Sequence, residues 1–186
     1  MKITESKLAD VKLIEPIAYG DRRGFFIETY NKTSFKELGI KENFIQDNHS
    51  FSKEAGVLRG MHYQLLPKSQ TKLIHVTTGA IYDVVVDMRK GSPTYGQWEG
   101  YILSEHNKRQ LLVPKGFAHG FCTITDNVNV HYKVDELYSP VQERGIAWDD
   151  DNLAIEWPIN NPVLSEKDLK LPKFKDAENN FVYEEL

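Results

Sequence analysis

Cysteine is almost missing from this chain of 186 residues, and long hydrophobic runs are missing altogether. The single cysteine, Cys122, has no partner for an internal disulfide, which favours a reducing compartment. The aliphatic run at 84–86 is far shorter than the roughly 18 apolar residues of a membrane span. The first six residues also lack the apolar segment of a signal peptide. We therefore expect a cytoplasmic protein with no membrane partner.

A strong excess of charge of either sign is also missing. The chain has 23 Lys and Arg residues against 27 Asp and Glu residues, a net charge of -4. This balance argues against a protein that coats nucleic acid. The basic residues are dispersed, and they suit local contacts to an anion such as a diphosphate better than a continuous basic surface.

Repeats, low-complexity segments and Ser/Gly-rich linkers are absent too, so we expect one domain over residues 1–186. Segments with period-two patterns, rich in β-branched and aromatic residues, alternate with turn signals. They predict strands at Val11–Ile17, Gly24–Tyr30, Phe44–Phe51, Val57–Gln64, Thr71–Thr78, Ile81–Met88, Trp98–Ser104, Gln110–Val113, Gly120–Thr125, Val128–Val134 and Gly145–Trp148.

Only two segments have the pattern of a helix start. Ser34–Glu37 is a capping-box pattern that Gly39 would close, and Ser165–Asp168 has the same form. About eleven strands with so little helix predict an all-β sandwich, jelly roll or barrel. Because such folds must protect their edge strands, by closure or by pairing with another copy, we expect a homodimer.

The first segment that could support chemistry is Val57–Gln64, which contains Arg59 and His62. In strict alternation these two side chains would point to opposite faces of the strand. Gly60 lies between them and could form a bulge that redirects one of them. His62 is then either a general base or a core histidine bonded to the backbone.

The second segment is Pro114–Phe121, a Pro-x-Gly-x-x-His turn that enters a strand and resembles the second motif of the cupins. In metal cupins that histidine, here His119, joins a His-x-His pair from an earlier motif. This chain has no such pair after His62, and His75 and His131 could complete a ligand set only by chance of folding. We therefore expect no metal.

A third group consists of polar residues on otherwise apolar strand faces. Lys72 shares its face with Ile74 and Val76, as Tyr132 does with Val130 and Val134. A barrel that holds a polar ligand would show this pattern. The alternatives are a lysine that reaches the rim and a core tyrosine with a satisfied hydroxyl.

Two carboxylates could orient a histidine. Asp83 lies on the same strand face as Ile81 and Val85, so it is either paired inside the barrel or on a strand with its other face inward. Asp168 could instead be only the acidic end of its capping box. The residues alone leave both possibilities open.

Taken together, these segments resemble the dTDP-4-dehydrorhamnose 3,5-epimerases, which are cupin-fold enzymes of nucleotide-sugar biosynthesis. The resemblance runs from about Val11 to Asp168. The matching segments are Arg23–Thr29, Gln46–Asn48, Val57–Gln64, Lys72, Pro114–Phe121, Tyr132, Tyr138 and Leu164–Asp168.

The resemblance implies a cupin-type jelly-roll homodimer whose N-terminal strands contribute to the dimer, with a C-terminal tail at about 164–186. It also implies inversion of carbons 3 and 5 of dTDP-4-dehydro-6-deoxyglucose, without a cofactor or a metal. The implied catalytic residues are His62 as base, Asp168 as its partner, Lys72 beside the ketone oxygen and Tyr132 as proton donor. The implied substrate-binding residues are Arg23, Glu28, Gln46, Asn48, Arg59, His119, Tyr138, Glu143 and Lys167.

Three alternatives remain at this point. Some relatives invert only carbon 3 or only carbon 5 with much the same residues, and a cupin could bind a nucleotide sugar without catalysis. A metal-dependent cupin oxygenase is the remaining possibility.

Overall fold

The computed structural model describes residues 1–183, and β-strands dominate them. One α-helix and two 3-10 helices, Asp168–Lys170 and Phe174–Asp176, accompany the strands. The elements are β1 (Lys2–Glu5), β2 (Lys12–Glu15), β3 (Ala18–Asp21), β4 (Gly24–Ile27), α1 (Lys32–Glu37), β5 (Gln46–Ser52), β6 (Leu58–Gln64), β7 (Lys72–Thr78), β8 (Ala80–Asp87), β9 (Trp98–Ser104), β10 (Gln110–Val113), β11 (Phe117–Thr123), β12 (Val128–Val134) and β13 (Glu143–Gly145). No helix among them is long and apolar enough to cross a membrane.

The strands form two antiparallel sheets and a separate hairpin. The larger sheet has the order β1-β2-β10-β7-β12-β5, and the smaller has the order β13-β6-β11-β8-β9. β3 and β4 pair only with each other among the described strands. The two sheets enclose an apolar core, which confirms the predicted all-β jelly-roll barrel.

The core follows from the alternation of side chains along the strands. Ile74 and Val76 on β7 and Val128 and Val130 on β12 point inward and are at most 4% exposed. Burial of each such side chain stabilises the fold by about 1.5–3 kcal/mol. The core fills one part of the barrel and leaves the remainder for polar side chains.

The outer faces of the sheets are covered by different segments. Phe35 of α1 packs on Leu73 and Leu112 of the larger sheet. On the smaller sheet, Phe181 is fully buried and its ring meets the ring of Tyr63 edge-on, with 5.9 Å between centroids. The C-terminal segment therefore closes this face.

Several predicted boundaries shift. The predicted strand at 11–17 is only Lys12–Glu15, Gly120–Thr125 begins earlier at Phe117, and Gly145–Trp148 is replaced by Glu143–Gly145. The prediction missed β1, which has only four residues, and β3, whose pattern Gly20 interrupts.

The predicted start of α1 at Ser34 is wrong. The helix begins after Asn31, whose Oδ1 accepts hydrogen bonds from the backbone N–H groups of Thr33 at 2.9 Å and Ser34 at 3.3 Å. A side chain placed before the first turn can satisfy two free donors, which the side chain of Ser34 cannot do from inside the helix. Gly39 does follow the helix, with a positive φ of 82°.

Asn31→Ala should lower the free energy of unfolding by about 1 kcal/mol because it removes this cap. Ser34→Ala is the matched control and should cost less than half as much, since the Ser34 side chain makes only a long, exposed bond to Glu28. Urea denaturation followed by circular dichroism measures both. Equal losses would contradict the assignment of Asn31 as the cap.

Candidate functional site

A cavity of about 410 Å³ opens at the polar part of the barrel. Residues from both sheets and from the C-terminal segment line it. They are Ser50, Val57, Leu58, Arg59, His62, Lys72, His119, Phe121, Tyr132, Val163, Leu164, Ser165, Lys167 and Asp168. Seven of the predicted site residues thus meet here: Arg59, His62, Lys72, His119, Tyr132, Lys167 and Asp168.

A bulge in β6 brings Arg59 and His62 into this one cavity. His62 lies opposite His119 of β11 and Arg59 lies opposite Phe121, so the step from 59 to 62 on β6 spans only two residues on β11. Gly60 occupies the bulge with a φ of 141°, and a Cβ atom there would lie 2.5 Å from the Cα of Gly120. The bulge that the sequence suggested at Gly60 is therefore present, and only glycine fits it.

His62 is oriented by a carboxylate from the far end of the chain. Its Nε2 lies 2.7 Å from Oδ1 of Asp168, which is only 5% exposed. Burial pushes the pKa of Asp168 upward, but hydrogen bonds from His62 and Ser165 outweigh it and hold that pKa below its usual value. Asp168 is therefore an anion at neutral pH, and it holds the imidazole with one ring nitrogen left for a ligand.

Lys72 and Tyr132 come from the neighbouring strands β7 and β12 and line the cavity beside His62. Lys72 Nζ donates to the backbone oxygen of His62 at 3.3 Å. Burial lowers the pKa of Lys72 to about 8, although the charges of Asp83 and Glu143 oppose the shift. Burial also raises the pKa of Tyr132, so its phenol keeps its proton at neutral pH.

Asp83 is paired inside the barrel, one of the two possibilities that the sequence left open. Its carboxylate lies 2.8 and 3.0 Å from Nε2 of His119, and it has no exposed surface. Burial lowers the pKa of His119 despite the opposing charge of Asp83. The site therefore contains two His–Asp pairs, and Asp168 is the partner of His62.

A smaller cavity of about 110 Å³ adjoins the first and shares His62, Lys72 and Tyr132 with it. Tyr138 and Glu143 line this second cavity, and the Tyr138 hydroxyl donates to Glu143 at 2.7 Å. Glu143 also forms an ion pair of 2.5 Å with Lys167. Burial alone would raise the pKa of Glu143, but the bonds from Lys167 and Tyr138 have the larger effect. The pKa therefore lies below its usual value, and the carboxylate is charged.

Gln46 and Asn48 of β5 lie at the edge of this group. Their side chains bond to each other at 2.9 Å, and Gln46 Oε1 accepts from the backbone N–H of Tyr138 at 3.2 Å. Asn48 is the register partner of Tyr132. Both amides thus border the cavities without lining them.

Arg23 and Glu28 lie elsewhere in the chain. Arg23 is in the exposed hairpin and pairs with Asp21 at 2.6 Å, and Glu28 contacts Asn31 and Ser34. Within one copy of the chain, neither residue lines the cavity that holds His62.

Three of the other histidines lie on the opposite side of the larger sheet. His75 and His131 stack with His49 on its outer face, away from the cavity. Within residues 1–183, no three His, Cys, Asp or Glu side chains are grouped so that they could hold a metal ion.

Some lining residues were not predicted. Ser50 follows Gln46 and Asn48 at a spacing of two on β5, and Phe121 follows His119 in the same way on β11. Strand alternation could have identified both. Ser165 was predicted only as the start of a capping box, and its Oγ does accept from the backbone N–H of Asp168 at 3.1 Å, as that pattern requires.

Comparison with known proteins gives consistent results. The family model described as dTDP-4-dehydrorhamnose 3,5-epimerase matches residues 5–176. A curated relative of that name from Shigella flexneri is 51% identical over 96% of this chain and 98% of its own length.

Solved structures are similar over the whole barrel. The dTDP-4-dehydrorhamnose 3,5-epimerase of Bacillus anthracis, with TDP and PPi bound, is 57% identical with a TM-score of 0.91 over 92% of this chain and 98% of its own. The dTDP-6-deoxy-D-glucose-3,5-epimerase of Legionella pneumophila, in complex with dTDP-4-keto-L-rhamnose, is 46% identical with a TM-score of 0.90, covering 94% and 93%.

Gly60→Ala should disrupt the bulge, because the added methyl group meets the backbone of Gly120. Gly91→Ala is the matched control, since Gly91 also has a positive φ but has nothing within 4 Å of the new atom. The control should cost about 1–2 kcal/mol from backbone conformation alone, and Gly60→Ala clearly more. Denaturation curves compare them, and equal costs would contradict the close approach.

Proposed function

The chain belongs to the dTDP-4-dehydrorhamnose 3,5-epimerase family, and we propose that His62 and Tyr132 transfer the protons in its reaction. The reaction inverts carbons 3 and 5 of dTDP-4-dehydro-6-deoxy-D-glucose to give dTDP-4-dehydro-L-rhamnose. The observation that supports these roles best is the meeting of three groups at one cavity: a carboxylate-bound imidazole, a buried ammonium and a buried phenol.

Both inverted carbons lie next to the ketone at carbon 4. Loss of a proton from either carbon creates an enolate, whose negative charge develops on the ketone oxygen. A fixed cation in a cavity that excludes water stabilises such a charge strongly. Lys72 is the cation in this proposal, and its ammonium is already held by the His62 carbonyl. The reaction moves only protons, so it requires no redox cofactor.

Inversion requires a base on one face of the sugar and an acid on the other. When His62 donates its Nε2 hydrogen to Asp168, Nδ1 keeps a lone pair and can accept the substrate proton. The Tyr132 phenol, with its raised pKa, is protonated and can return a proton from the other face. Acid–base groups of this kind contribute about 100- to 10,000-fold in rate.

The remaining polar residues suit the nucleotide part of the substrate. Arg59 presents a guanidinium at the cavity and His119 an imidazole, both suitable for diphosphate oxygens. The exposed ring of Tyr138 offers a stacking surface for thymine, and its backbone is held by Gln46. Asn48, Glu143 and Lys167 complete the proposed substrate contacts.

We also propose that the chain is a single domain that works as a homodimer in the cytoplasm. Phe25 and Phe26 at the tip of the β3–β4 hairpin are 60% and 71% exposed, which is unusual for side chains of this size. A second copy that covers this hairpin would bring Arg23 and Glu28 to the cavity of its partner. This arrangement accounts for their distance from His62 in one copy.

Incubation with dTDP-4-dehydro-6-deoxyglucose in heavy water tests the function. The protein should introduce deuterium at carbons 3 and 5, detected by mass and proton spectra of the sugar. His62→Asn should abolish this exchange while leaving the fold intact, because it removes the proton acceptor and little volume. Exchange at the normal rate in this variant would contradict the role of His62.

Two further variants sharpen the test. Tyr132→Phe should retain exchange at one carbon at least while inversion falls, since abstraction does not require the phenol. His106→Asn is the control, because His106 lies in an exposed turn remote from the cavity, and it should match the unaltered protein. Label at one carbon only in the unaltered protein would indicate a mono-epimerase, and no label would indicate a binding protein.

The pH dependence of kcat/KM tests Lys72. Since its pKa of about 8 lies below the ordinary lysine value, the ammonium is present below that pH and lost above it. We expect kcat/KM to fall about tenfold per pH unit above about pH 8. Lys72→Arg should keep its charge and remove this decline, although its absolute rate should be lower. A decline that persists in Lys72→Arg would assign the titration to another group.

A further inference from the structure

Three histidine rings form a row across the outer face of the larger sheet. His49 on β5, His131 on β12 and His75 on β7 are direct register partners. The ring centroids of His49 and His131 are 4.1 Å apart with planes 9° from parallel, and those of His131 and His75 are 5.5 Å apart. We call these three residues the histidine row.

The row has few charged neighbours. Asp47 on β5 and Lys133 on β12 flank it, but they pair with each other at 2.7 Å. On the β10 side, His75 faces Gln110, which is uncharged. His49 Nε2 lies 2.8 Å from Oδ1 of Asn129, also uncharged. The charge of Asp47 favours protonated His75 and His131, but its carboxylate is bonded to Lys133, so a proton on the row has no carboxylate in direct contact with it.

The inner rings resist protonation. Burial lowers the pKa of His75 to about 4, and the neighbouring His131 and Lys133 lower it further. Burial and His49 also lower the pKa of His131. His49, at the end of the row, is exposed in a single copy of the chain. A protonated imidazole in the row therefore stays in contact with water only while this face of the sheet is exposed.

The strand that carries His49 is an open edge. Among residues 1–183, β5 pairs with β12 alone, and its seven residues leave one side unpaired. Ile45 and Phe51 beside the row are each 51% exposed. Proteins usually protect a long edge strand of this kind. A second copy fits it best, because each copy also has the exposed apolar hairpin that needs to be covered.

We propose that the histidine row lies in the interface between two copies of this chain and makes their association depend on pH. The inference rests on the homodimer proposed above. A proton on the row would have to be buried without a counter-charge next to other imidazoles, so association must expel it. Acid therefore releases the partner, and neutral pH favours the dimer.

Sedimentation equilibrium between about pH 8 and pH 5, at constant ionic strength, tests this. Near and above pH 7 the dissociation constant should be constant. At lower pH, where the open row of a single copy takes up protons, it should rise by up to tenfold per pH unit for each proton that association expels. His49→Asn combined with His131→Asn should remove this slope, and His106→Asn should keep it. A constant value in the unaltered protein, or a slope that survives the double substitution, would overturn the inference.

Circular dichroism and deuterium exchange on the same samples separate the possible failures. Dissociation that coincides with loss of the sheet signal would overturn the inference, since acid would then unfold the chain. A monomer at pH 8 that still exchanges deuterium would overturn it and leave the epimerase function intact. A dimer with the expected pH slope but no deuterium exchange would support the role of the histidine row in association and contradict the proposed epimerase function.

Discussion

The close contact between two glycines sets the arrangement of the site. β6 and β11 approach so tightly at Gly60 and Gly120 that neither position has room for a side chain. The extra residue in β6 at this point reverses the alternation between Arg59 and His62. Without it, one of the two would face the tail that covers the smaller sheet. The other polar side chains of the cavity surround these two.

The polar groups inside the barrel satisfy one another. A buried carboxylate, imidazole or ammonium is costly alone but tolerable when paired. Asp168 holds His62, Asp83 holds His119, and both Asp83 and Glu143 favour the charged form of Lys72. At Lys72 the effect of burial is larger than that of these two charges, so its pKa stays below the usual lysine value. A site organised in this way is ready for its ligand, because its donors need not be reoriented from water.

Much of this could be predicted from strand alternation. It identified most strands and placed Lys72 and Tyr132 on the apolar faces, it left the direction of Asp83 open, and the glycine inside a strand indicated the bulge. The same reasoning fails where the decisive contact is non-local. It could not choose between Asp83 and Asp168 for His62, because Asp168 lies 106 residues away, in a C-terminal segment that strand periodicity does not describe. Arg23 in the hairpin and Glu28 just after it show a second limit, since neither lines the cavity within one copy and no strand pattern indicated this.

The His62–Asp168 bond also bears on the order in which the parts of the site form during synthesis. Synthesis proceeds from the N-terminus, and domains generally begin to fold in that direction. All thirteen described strands, with Lys72 and Tyr132, precede the tail. The carboxylate that orients His62 follows them on the 3-10 helix Asp168–Lys170. A nascent chain on the ribosome can thus hold an almost finished barrel whose histidine is still unsupported. The same tail buries Phe181 against the smaller sheet. The bond that orients His62 therefore forms only after every strand of the barrel has been made.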